Sequence, residues 1–145
     1  MKKFKIVSIN ISDKRGGRKT PIAEAVLMEN FGIEGDAHGG DWHRQVSLLA
    51  EEEVQDMIRR GADVTCGDFA ENITTQGVDL ANLPVGTILN LGQAVLEVTQ
   101  IGKECHHDCA VFQQIGDCVM PRKGIFARVI KGGKINNESD CYYNI

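Results

Sequence analysis

Residues 87–101, TILNLGQAVLEVTQI, decide the fold class. Two apolar, β-prone runs flank the dipeptide Gly92-Gln93, and a two-residue connection with glycine first is what a type II′ hairpin requires. The reading predicts strands over 87–91 and 94–101. On the N-terminal side lie a short strand around Ile73, a polar turn, and the pair Leu80 and Leu83 ahead of Pro84 and Gly86. Residues 50–60 (AEEEVQDMIRR) read as a helix. Val54, Met57 and Ile58 fall at i, i+3 and i+4, acidic residues favour the first turn, Arg59 and Arg60 favour the last, and Gly61 ends it. Further strands are predicted at 46–49, 24–28 and 4–11. On the C-terminal side residues 124–130 (GIFARVI) form another strand with Gly132-Gly133 as its turn, and the chain from Asn136 reads as a loosely specified terminus. Many short strands with one convincing helix indicate a mainly β domain. A closed or partly closed β-barrel with few short helices is the expected architecture, because closure removes exposed strand edges.

A chain of 145 residues without a sharp change in composition fits one domain, residues 1–145. Such a length buries roughly 68% of the unfolded surface and needs no staples. No stretch approaches the ~18 apolar residues of a membrane span. The opening MKKFKIVSINIS has a basic front but only a short alternating run in place of a signal-peptide core. A net charge of −4 argues against general nucleic-acid binding. Five cysteines, an odd number at low density, read as reduced thiols with redox, metal or catalytic roles, so a cytoplasmic location is expected.

Reactive chemistry concentrates in residues 100–133. Cys105, Cys109 and Cys118 lie close together in sequence, with His106 and His107 between the first two and Lys103, Arg122, Lys123, Arg128 and Lys131 around them. Nearby cations stabilise a thiolate and activate it as nucleophile or metal ligand. Cys105 and Cys109 lack the paired C-x-x-C knuckles of a structural zinc site; if helical they share a face, as a redox pair would. Cys109, ahead of Ala110, Val111 and Phe112, suits an ordinary buried thiol equally well. Upstream, residues 31–49 alternate glycines with Asp36, His38, Asp41, His43 and Arg44. This pattern predicts a long shaped loop whose Asp and His side chains cap turns rather than hold a metal. Trp42 either anchors the loop or shields a polar pocket. The basic stretch around Lys14, Arg15, Arg18 and Lys19 is expected to be a solvated loop, with a reach toward an anion as the alternative.

The series GDAHGGDWHRQVSLL, ENITTQGVDLANLPVGTILNLGQAVLEVTQIGKECHHDC and GDCVMPRKGIFARVIKGGKI resembles the MOSC family, the C-terminal domain of molybdenum cofactor sulfurase, in its small standalone bacterial form. The match runs over about residues 35–135. The resemblance implies a β-barrel-rich fold and a role in handling molybdenum cofactor (molybdopterin) or its sulfur. By motif, Cys105 is the cysteine that carries sulfur as a persulfide or contacts molybdenum, and Cys109 or Cys118 would resolve it. Asp36 and His38 would shape the pocket, with Arg44, Lys103, His106, Arg122, Lys123 and Arg128 toward the anionic cofactor. Many relatives have an Arg and a Pro before the cysteine where this chain has Gly102, Lys103 and Glu104, so the anion-binding task passes to Lys103 or elsewhere. No pyridoxal phosphate lysine is evident. Implied partners are a cysteine desulfurase or other sulfur donor, and cofactor biosynthesis proteins or molybdoenzymes. Two alternatives stand beside sulfur transfer: a molybdenum-dependent reductase of N-hydroxylated compounds, and a non-catalytic cofactor binding and delivery module.

Overall fold

The computed structural model describes residues 2–14, 18–102 and 123–144. In chain order the strands are β1 (Lys2–Ile11), β2 (Thr20–Ile22), β3 (Glu24–Met28), β4 (Gly32–Ile33), β5 (Val46–Ala50), β6 (Ile73–Gln76), β7 (Ile88–Leu91), β8 (Ala94–Ile101), β9 (Ile125–Lys131), β10 (Gly133–Asn136) and β11 (Cys141–Tyr143). Helix α1 (Glu51–Arg59) lies between β5 and β6, and a 3-10 turn spans Leu80–Asn82.

The predicted hairpin forms. Leu91 stands opposite Ala94, and Gly92 supplies the positive φ, +60°, that the tight turn demands. From β7 the ladders run β11, β1, β6, β5, β9 and β8, back to β7, so seven strands close a barrel and β2 extends from β1 outside the ring. Every ladder of the ring is antiparallel except β5–β6, which α1 connects as a crossover. Strands β10, β3 and β4 form a separate antiparallel sheet.

Alternation sorts the side chains. Ile125, Ala127 and Val129 of β9 join Leu96, Val98 and Leu48 in the apolar interior. Phe126 points outward, where Leu49, Val54 and Met57 cover it beneath α1. Arg128 follows Phe126 by two positions and therefore also lies on the outer face. Ile58, at the edge of the helical stripe, is 39% exposed and contributes less to the seam than the sequence spacing implied. No helix among the described residues is long and apolar enough to cross a membrane.

One sequence expectation is extended and one corrected. Gly132-Gly133 follows β9 as its turn and passes the chain into the second sheet. A Cβ at Gly132 would stand 2.6 Å from the Leu27 carbonyl oxygen, so glycine permits the close approach. The terminus is also tightly specified. Asn136 Oδ1 accepts from the Glu138 amide at 2.8 Å, Ser139 Oγ accepts from the Asn136 amide at 2.9 Å, and β11 then pairs on both sides with Cys141 and Tyr143 buried.

One interior group is out of place chemically. Thr75 stands opposite Ile6 and is fully buried, yet its Oγ1 has no hydrogen-bond partner among the described residues. A buried unsatisfied hydroxyl costs about 1–3 kcal/mol, and valine has the same branched shape without it. Thr75→Val should raise the unfolding free energy by about 1–3 kcal/mol, read as a higher urea midpoint at unchanged m-value; a lower midpoint would show that the hydroxyl is bonded in solution.

Candidate functional site

Lys19 ends the basic stretch, and the expectation that it is solvated does not hold. Its side chain is completely buried, with Nζ donating to Asp36 Oδ1 at 2.7 Å. The anion it reaches is inside the protein. Its backbone is fixed as well: the Lys19 amide donates to the Gly67 carbonyl at 2.8 Å, and Gly67, at φ +92°, comes so close that a Cβ would lie 2.3 Å from the Lys19 carbonyl oxygen.

Asp36 is the turn-capping group that the loop composition predicted. Oδ1 also accepts from the Ser12 amide at 3.1 Å, and Oδ2 accepts from the His38 amide at 3.2 Å. Burial pushes this carboxyl up, but hydrogen bonds from Lys19, Ser12 and Asn72 with the Lys19 charge outweigh it, so Asp36 is held below its ordinary value of 3.8. Lys19 Nζ also lies 3.0 Å from His38 Nδ1. An ammonium can only donate, so Nδ1 accepts and the ring proton of His38 resides on Nε2.

Behind this corner lies a polar seam that sequence reading missed. Asn72 Oδ1 accepts from the Ser47 amide at 2.9 Å while its Nδ2 donates to the Asn10 carbonyl at 3.1 Å, joining β5, the start of β6 and β1. Fully buried Glu71 accepts from the Gly67 amide at 3.0 Å and the Thr74 hydroxyl at 2.8 Å. Burial raises its carboxyl above the usual 4.5, and those hydrogen bonds oppose the rise only in part. The visible signal was four polar residues, Glu71, Asn72, Thr74 and Thr75, in and just before a short strand.

Trp42 links this corner to the barrel rim. Its Nε1 donates to the His38 carbonyl at 2.8 Å; its ring stacks on His38 at 6.5 Å and meets His43 edge-on at 6.0 Å. His43 Nε2 and Arg44 Nε both reach Gln100 Oε1, at 2.9 and 3.2 Å, and the Arg44 guanidinium lies over the Phe126 ring at 5.1 Å. Arg44 makes no ion pair among the described residues. Gln100 Nε2 donates to the Gly102 carbonyl at 2.7 Å, and the Gly102 amide donates to the Gly124 carbonyl at 2.6 Å. Residues 102 and 124, which flank the cysteine segment, therefore meet at this rim.

Of the candidate residues, Asp36 and His38 come together and Arg44 stands at the rim, joined to them through Trp42. Lys123 is half-buried next to Gly124. Arg128 is directed to Asp41 at 3.8 Å, on the outer face. Cys105, Cys109, Cys118, Lys103, His106, His107 and Arg122 lie outside the described residues. The two described cysteines are poor thiolates. Burial and then the Asp140 charge push Cys141 up to about 12; burial, with the charges of Glu71 and Glu51, also raises Cys66. Among the described residues no group of His, Cys, Asp and Glu could hold a metal ion.

A family model described as the MOSC domain matches residues 34–141, reaching the first residue of β11. No curated protein matches significantly. Several solved structures share the fold. YuaD protein from Bacillus subtilis superposes with a TM-score of 0.79 at 18% identity, covering 96% of this chain and 93% of that one. YiiM from Geobacillus stearothermophilus gives 0.74 at 24% identity, covering 98% and 75%, and YiiM from Escherichia coli gives 0.72 at 18%, covering 99% and 70%.

The two buried carboxyls titrate with opposite consequences for stability. Asp36, lowered on folding, contributes stability that is present above its unfolded value near 3.8 and is lost as pH falls through its folded value. Glu71, raised on folding, contributes stability that is full below about 4.5 and is lost as pH rises through its folded value. Asp36→Asn should lose about 3–5 kcal/mol at pH 7, because the Lys19 ammonium is left buried without its partner. Glu71→Gln should remove the gain on moving from pH 7 toward 4.5; urea midpoints across that range check both. Separately, iodoacetamide at pH 7.5 should leave buried Cys141 unmodified in the native protein and alkylate half-buried Cys66 only slowly, while all five cysteines react after denaturation. Peptide mass spectra showing Cys141 alkylated at its denatured rate would contradict the burial argument.

Proposed function

The chain belongs to the MOSC domain family, associated with the molybdenum cofactor, and on that premise we propose that it is a sulfur carrier and transfer domain for that cofactor. The observation that carries this reading is the rim. Arg44, half-buried on Phe126 and without an ion-pair partner among the described residues, stands where Gly102 and Gly124 join the two ends of the Cys105 segment. A guanidinium whose Nε is occupied keeps its two terminal nitrogens for a phosphate or another anion. This free fork fits the terminal phosphate of an anionic pterin.

Cys105 supplies the reacting atom. Its thiolate attacks the terminal sulfur of a persulfide on a cysteine desulfurase or other donor; the new S–S bond forms on Cys105 and the donor leaves as its own thiolate, with no net oxidation. When bound, the cofactor would supply the metal-centred acceptor for that sulfane sulfur and, from a reduced metal, the electron pair that converts it to sulfide, so that Cys105 would be released as a thiolate. If a nearby thiolate, Cys109 or Cys118, attacks instead at the Cys105 sulfur, a disulfide forms and hydrosulfide leaves.

Anaerobic mass spectrometry of protein made in cells that synthesise molybdenum cofactor tests the role. Wild type should carry a one-sulfur increment removable by reductant, and Cys105→Ala should lack it while remaining folded. Equal sulfur loading in that variant would end the carrier reading. Retained pterin and molybdenum without the sulfur increment would favour the reductase or the delivery module.

A further inference from the structure

Strict alternation along β8 would send Gln100 into the barrel, because Ala94, Leu96 and Val98 all belong to the apolar interior. It does not go there. The β8–β9 ladder pairs Val98 with Ala127 and then Gln100 with Phe126, so Thr99 is an extra residue and the strand bulges. Directly opposed residues share a face, and Phe126 is on the outer one. The bulge therefore turns Gln100 outward, to the side of the barrel that carries Arg44. It is itself fixed: the Thr99 hydroxyl engages the His43 carbonyl and, at 3.1 Å, the Phe126 carbonyl.

The amide of Gln100 has one possible orientation. Arg44 Nε can only donate, so the atom 3.2 Å from it is Oε1; the Gly102 carbonyl can only accept, so the atom 2.7 Å from it is Nε2. His43 Nε2, 2.9 Å from the same Oε1, must then carry a proton. One side chain thereby orients a guanidinium, selects an imidazole tautomer, and binds the carbonyl of residue 102.

We infer that Gln100 is a positioning residue: its amide holds Arg44 and His43 in one fixed arrangement at the rim and ties both to Gly102. Its functional consequence, an Arg44 fork pre-set for the cofactor's anionic group, rests on the reading under Proposed function. A pinned fork binds more tightly than a freely rotating one because less side-chain freedom is lost on binding.

Two variants and two readouts separate the possibilities. Gln100→Leu removes acceptor and donor together. Gln100→Glu keeps an acceptor for Arg44 and His43 and loses only the donor to Gly102. In cofactor-free protein, NMR exchange of the Arg44 Nε proton should quicken about tenfold or more in Gln100→Leu, the factor that goes with a charge-assisted hydrogen bond, and return to wild type or slower in Gln100→Glu. Unchanged exchange in the leucine variant overturns the inference, as does a loss that glutamate fails to rescue, since a general loosening of the rim would not be repaired by an acceptor. The second readout is molybdenum cofactor retained per protein after co-expression. It should fall roughly tenfold in both variants, in the leucine variant because Arg44 is released and in the glutamate variant because a carboxylate neutralises it. Wild-type retention in Gln100→Leu overturns the functional consequence. If the wild type itself retains no cofactor, cofactor binding fails while the exchange measurement still decides what Gln100 does.

Discussion

A β-barrel has no free edge only when every strand finds two partners, and here a three-residue strand completes the ring. β11 pairs Cys141 with Phe4 on one side and with Leu91 on the other. Without it the hairpin β7–β8 and the strand β1 would each expose a row of amides and carbonyls to other chains. Closure also fills the interior with Leu, Ile and Val, so the polar groups capable of chemistry are displaced to the outer face and the rim. The outward bulge at Thr99 and the seam of Asn10, Ser47 and Asn72 are expressions of the same constraint.

The Lys19–Asp36 pair shows how the loops are held to that barrel. Burying two charges costs several kcal/mol per ion, and their attraction offsets this only when the remaining lone pairs and protons are occupied. Here Asp36 also accepts from two backbone amides, and Lys19 donates to His38 as well. The pair therefore acts as a registration device. It fixes residues 12, 19, 36 and 38 relative to one another, and through Trp42 it carries that order toward Arg44.

Long periodic elements were legible in the sequence. α1 was bounded by its acidic start and Gly61, and β3 matched the strand chosen for residues 24–28, although the periodicity of five residues alone admitted a helix as well. The family resemblance was legible too, through several motifs in one order. β11 escaped because three residues hold too little periodicity to separate a strand from a tail. Gly132-Gly133 was legible as the turn that ends the strand, whereas its exit into the second sheet and the close approach to Leu27 are tertiary facts. Lys19 escaped because a lysine in a basic run normally faces water, and only the fold brings Asp36 beneath it. Gln100 was hidden by period-2 logic itself, since a bulge reverses the facing of every residue beyond it.

Among the described cations, what each one already touches sets Arg44 apart as the contact for the proposed anion. Lys19 is neutralised by Asp36 within the protein, and Arg128 faces Asp41. Arg44 differs from both, because its partners are a neutral amide oxygen and an aromatic face, neither of which cancels its charge. In a chain of net charge −4, an uncancelled guanidinium on a buried aromatic floor is a local positive spot in a negative field, and it would draw the proposed anion to one place. The uncharged partner is the important choice. A glutamate at position 100 would hold Arg44 at least as firmly but cancel its charge, whereas glutamine fixes the geometry and leaves the charge available.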